Sequence, residues 1–126
     1  TLAYSATTLY GVSSSGPTLY KYTDGVGTTT LISMGLAGRT SNLVKTDSGK
    51  ICFIFWIAET TDVAPHLTLF TYDGTNIYQK PIGIPNTIGW KQRLELTSTV
   101  ATLPALIAVG EKLYLNMNDE ILEINT

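Results

Sequence analysis

Charge is scarce in this chain, and so are cysteine, histidine and any helical pattern. Charged side chains make up 14% of the 126 residues, eight Lys and Arg against ten Asp and Glu, for a formal net charge of -2. A phosphate backbone is bound by clustered Lys and Arg that displace counterions. Here the basic residues are scattered, with Lys91 and Arg93 the nearest approach to a cluster, so nucleic acid is not an expected partner. No run of about 18 apolar residues occurs, so no transmembrane helix is expected. The longest apolar stretch, Ile51 to Ala58, has the length of a buried strand. The single cysteine, Cys52, rules out an intrachain disulfide, and its place between Ile51 and Phe53 makes it a small core residue rather than a nucleophile. The single histidine, His66, follows Pro65 and reads as a loop or strand-start residue rather than a general base. One His and one Cys without converging carboxylates make no metal site, and no cofactor is expected. The chain has no glycine-rich phosphate loop, no Gly-x-Ser-x-Gly elbow and no Cys-x-x-Cys. It shows no sustained i, i+3, i+4 stripe behind an N-cap. A start at Thr1, with no Met and no signal-like segment, suggests a processed protein or an excised fragment.

What is present is alternation, and it repeats. Thr18-Leu19-Tyr20-Lys21-Tyr22-Thr23-Asp24-Gly25 returns as Leu67-Thr68-Leu69-Phe70-Thr71-Tyr72-Asp73-Gly74, and a third alternating run spans Lys112 to Met117. Period-2 patterning broken by tight-turn dipeptides marks half-buried antiparallel strands, and its return at long spacing marks a repeat architecture. Strands are expected near 2–5, 8–14, 17–23 and 28–34, then near 41–46, 50–58, 66–72 and 76–84. An extra strand is expected over Trp90 to Leu96, and a third set over 105–109, 112–117 and 120–125. Thr, Val, Ile, Tyr and Phe fill these segments, as strands prefer. The whole chain, 1–126, is expected to form one all-β domain of three approximate repeats, 1–38, 39–97 and 98–126.

Strand-turn-strand-turn-strand-turn-strand, then a connector and a repeat, resembles the blades of a β-propeller. The likeness rests on pattern over almost the whole chain; no Trp-Asp dipeptide is present, and Lys45 to Cys52 keeps only the Asp-x-Gly of an Asp-box turn. It implies two full antiparallel four-stranded blades and most of a third. A ring needs at least four blades of roughly 40–45 residues, on the order of 160 in all. Chains completing a ring together, six blades from a dimer included, a longer parent sequence, and a β-sandwich are therefore the open alternatives.

Candidate chemistry favours binding over catalysis. Asp24, Asp47 and Asp73 sit in turns where Asp has a structural use, and Glu59 and Asp62 lie in a long loop. A non-enzymatic structural or interaction module is the leading expectation, a subunit of an extracellular or virion-surface assembly whose partners are copies of itself or other chains. Its edge residues would be Leu2 and Tyr4 at one end and Ile121, Leu122 and Ile124 at the other, serving β-augmentation. A carbohydrate-binding lectin of propeller type is the alternative, with Trp90, Arg93, Glu95, Tyr78 and Asn76 as the sugar set. Propeller lectins carry a Trp, Arg and Glu in each blade, whereas Trp56 and Trp90 both fall in the second repeat here. A fragment of a larger propeller-bearing protein is the third reading.

Overall fold

The computed structural model describes residues 1–13, 16–36, 38–57, 66–82, 105–116 and 121–124. Every regular element among them is a β-strand, and every paired neighbour is antiparallel. They form three sheets. The first is β1 (Leu2–Ala3), β2 (Thr8–Ser13), β3 (Gly16–Thr23) and β4 (Gly27–Leu36), in chain order across the sheet. The second runs β5 (Gly38–Thr40) and β6 (Val44–Lys45), then β7 (Ile51–Ile57), β8 (His66–Tyr72) and β9 (Ile77–Pro81). The third is β10 (Leu106–Val109), β11 (Lys112–Asn116) and β12 (Ile121–Ile124). None of the three closes on itself. The strand expected over Trp90 to Leu96 lies outside the described residues.

Of the expected strand at 41–46 only β6 forms; β5 precedes that span, and both are laid along the same edge of β7. Ser41 explains the join. Its N–H donates to the Ile54 carbonyl at 2.8 Å, and its buried hydroxyl accepts the Ile54 N–H at 2.8 Å. A side chain thus completes the ladder where the backbone swings away, leaving Asn42 free to reach outward.

The turns have local causes. Asp73 Oδ1 accepts the N–H groups of Thr75 (2.9 Å) and Asn76 (2.7 Å), and the Tyr72 hydroxyl donates to the Gly74 carbonyl at 2.9 Å. In the Thr46–Lys50 turn the buried Thr46 hydroxyl accepts the Lys50 N–H at 3.1 Å. Gly49 there has φ 88°, and a Cβ would stand 2.8 Å from the Tyr4 hydroxyl, so both conformation and space require glycine.

Among the described residues the core is two clusters on opposite faces of the middle sheet. One face sends Ile51, Phe53, Phe55, Phe70 and Tyr72 against Tyr10 and Leu19 of the first sheet. The other sends Cys52, Ile54, Leu67 and Leu69 against Leu106, Leu113, Leu115 and Ile124 of the third. Burial on both faces accounts for the unbroken apolar run of β7, because neither phase of its alternation meets water. Cys52 is fully buried there, as its neighbours in sequence suggest.

The second strand of each sheet records which face meets which. A strand residue turns its N–H and C=O together to one side, so alternate residues bond the preceding and the following strand. On β2, Thr8 bonds back toward β1 by accepting the Tyr4 N–H, which places Tyr10 in the same set. On β7, Ile54 bonds back to Ser41, so Phe53 and Phe55 bond forward to β8. On β11, the Asn116 N–H bonds back to the Ala105 carbonyl, so Leu113 and Leu115 bond forward to β12. Both junctions therefore join a backward-bonding set to a forward-bonding one: Tyr10 to Phe53 and Phe55, then Cys52 and Ile54 to Leu113 and Leu115.

Candidate functional site

Two kinds of surface offer themselves. The first is a hollow of about 350 Å³ over the outer half of the middle sheet, lined by Lys50, Leu69, Thr71, Asp73, Tyr78 and Lys80. It lies on the face that the third sheet covers elsewhere, since Leu69 belongs to that junction and pairs with Lys80, while Thr71 pairs with Tyr78. Tyr78, 54% exposed, borders the hollow. Backbone N–H groups of Asn76 and Thr75 hold the Asp73 carboxyl below the usual range, and the Tyr78 hydroxyl adds to this. Two ammonium groups, one firmly ionised carboxylate and a phenol over an aliphatic floor can hold a small polar ligand by hydrogen bonds and ring contact.

The second kind is the pair of outer sheet faces. On the third sheet, Ile107, Val109, Tyr114 and Ile121 border a shallow hollow of about 320 Å³ together with Asn116. Ile121 is 71% exposed and Val109 61%. On the first sheet, Leu9, Tyr20 and Tyr22 stand exposed among threonines.

The residues singled out from sequence scatter. Tyr78 lines the first hollow, but Asn76 sits in the β8–β9 turn, where its backbone serves Asp73. Trp90, Arg93 and Glu95 lie outside the described residues, as do Glu59 and Asp62. Of the edge residues, Leu2 packs on the first cluster and Ile124 is buried in the second, while Ile121 is open to solvent. Tyr4 meets Tyr10 edge-on at 5.4 Å and carries the Lys45 ammonium 4.8 Å above its ring. The strand β1 pairs with β2 of its own chain, so donating it elsewhere would require it to leave that pairing. Sequence reading missed Lys50, Lys80, Ile107 and Val109. The last two had a signal: Leu106-Ile107-Ala108-Val109 is apolar in both phases, as β7 is.

Burial pushes the Cys52 thiol up, against smaller opposing effects from the Thr71 hydroxyl and Lys50. Such a thiol is a poor nucleophile at neutral pH. Among the described residues, no group of three or more His, Cys, Asp or Glu gathers to hold a metal ion. Among the described residues, no helix is long and apolar enough to cross a membrane. No protein-family model, curated protein or solved structure matches this chain.

Proposed function

We propose that this chain is a non-enzymatic structural module, a subunit of an assembly at an extracellular or virion surface. Its three sheets act as consecutive blades of the β-propeller type. One observation carries this reading: among the described residues the middle sheet is covered on both faces, whereas each flanking sheet is covered on one and presents aromatic or aliphatic side chains on the other. The backward-to-forward order of both junctions supports propeller blades over a sandwich, in which two equivalent sheets facing one another would match like set with like. Low charge and many Thr and Tyr suit contact with neighbouring chains. The test is absolute mass by light scattering on the purified chain over a range of concentrations. A defined multimer or open-ended growth is expected, and a folded monomer throughout would overturn the reading.

The hollow at Tyr78 favours a second reading, a carbohydrate-binding module. A glycan array would then return a specific ligand whose binding Tyr78→Ala abolishes with the circular dichroism unchanged. A blank array removes this reading.

A further inference from the structure

The two exposed sheet faces are of opposite kind, and this limits what fits them. On β2 the forward-bonding set, Leu9 and its alternates, points away from the middle sheet; on β11 the backward-bonding set, Tyr114 and its alternates, does so. Both internal junctions unite a backward-bonding face with a forward-bonding one. Among the described residues, the third sheet therefore leaves uncovered the kind of face that receives, and the first the kind of face that is received.

We infer that the outer face of the third sheet binds the outer face of the first sheet in a second copy of this chain, continuing the internal packing from one molecule to the next. The inference rests on the assembly reading above and assigns its contact surface. Ile107, Val109 and Ile121 supply the aliphatic half of the junction. Leu9, Tyr20 and Tyr22 supply the other half, and Tyr is favoured at interfaces because its ring is apolar and its hydroxyl stays satisfied. Charge agrees with this pairing. The third sheet's outer face carries Lys112 and Glu123, which meet each other at 3.6 Å, and β2 and β3 bring no charged side chain to the outer face of the first sheet. Such a contact is head-to-tail: two copies close a ring of six sheets if the rotation allows, and otherwise the stack grows.

Two double variants test this, Ile107→Glu with Val109→Glu and Tyr20→Glu with Tyr22→Glu, each checked for fold by circular dichroism. Every altered side chain is solvent-exposed in the single chain, so the sheets should tolerate the change. Each variant alone is expected to lose the parent multimer, with association weakened by roughly a hundredfold or more, because a carboxylate buried without a partner opposes docking. A 1:1 mixture should then form a heterodimer and stop, since one intact face of each kind remains between the two chains. A parent multimer that survives both substitutions, or a mixture that stays monomeric, overturns the inference while leaving the assembly reading in place. A parent chain that is itself monomeric overturns the assembly reading instead. Where a Glu pair unfolds the chain, Val109→Thr and Tyr22→Thr give the same readout with milder, strand-compatible side chains.

Discussion

The junction between the first and second sheets is aromatic, and the junction between the second and third is aliphatic with polar clips. At the first, Phe53 and Phe70 stack with centroids 4.9 Å apart and planes 2° from parallel, Phe55 meets Phe70 edge-on, and Tyr10 links Tyr4 to Tyr72. The polar links there are slight: Lys45 reaches the Tyr4 carbonyl at 3.4 Å, and Gln79 reaches the Met34 sulfur at 3.8 Å. At the second junction the apolar side chains are branched and smaller, and hydrogen bonds are numerous. The Asn42 amide binds both the carbonyl and the N–H of Leu106 at 2.9 Å each, imitating a strand partner. Glu111 accepts the Ser48 N–H at 2.8 Å and its hydroxyl as well, and the Asp47 N–H donates to the Gly110 carbonyl at 3.0 Å. Large rings give adhesion through area and tolerate a small change of angle; directed bonds fix register. The same sheet thus holds one neighbour by bulk and the other by address.

Four substitutions sharpen that contrast. Phe70→Ala removes the ring shared by the two phenylalanine pairs at the first junction. It should cost about 3–5 kcal/mol in urea unfolding, the range for a fully buried aromatic truncated to Ala. Leu113→Ala, at the centre of the second junction and fully buried, should cost about 2–5 kcal/mol, and a value equal to that for Phe70→Ala would erase the distinction drawn from side-chain size. Asn42→Ala strips both bonds from Leu106 and should cost about 1–3 kcal/mol, with the loss localised. Amide hydrogen exchange should quicken in β10–β12 and stay unchanged in β1–β4, and uniform quickening would show that Asn42 does not act at one junction. Glu111→Gln should have the smallest effect, and one that depends on pH. The Ser48 hydroxyl and N–H hold the Glu111 carboxyl below its ordinary range, so its contribution is present above the unfolded value and fades as pH falls through the folded one. Melting temperatures of the two proteins should therefore differ near neutrality and converge in acid.

The strand plan was legible in the sequence because period 2 and turn dipeptides are local signals. The double burial of β7 was legible too, in a run apolar in both phases. The pairing of faces was not. Aligned on Asp-Gly, Leu19 matches Thr68, and the two look equivalent. Thr23 pairs with Gly27 across a three-residue loop, however, while Tyr72 pairs with Ile77 across four. That one residue reverses which neighbouring strand each set bonds, so Leu19 and Thr68 point toward the same junction from opposite sides. The clips were also hidden, since Asn42 and Glu111 are ordinary turn and hairpin residues until a sheet 64 or 63 positions away in sequence is placed beside them. The sugar set could be read only as residue types: Tyr78 came to a hollow, while its chemically apt neighbours there, Lys50 in the turn before β7 and Lys80 within β9, carry no motif.

The doubly covered middle sheet has a kinetic side. Each sheet is a meander of neighbours in sequence, so its pairing is local and quick, but β7 and β8 cannot persist in water with both faces bare. As synthesis proceeds from the N-terminus, the first sheet is ready when the middle one emerges and can take its aromatic face at once. The aliphatic face then waits for β10–β12. In that interval Leu67, Leu69 and Ile54 form an open greasy plane on a half-built molecule, the stage at which the chain is most open to capture by a chaperone or by another nascent copy of itself.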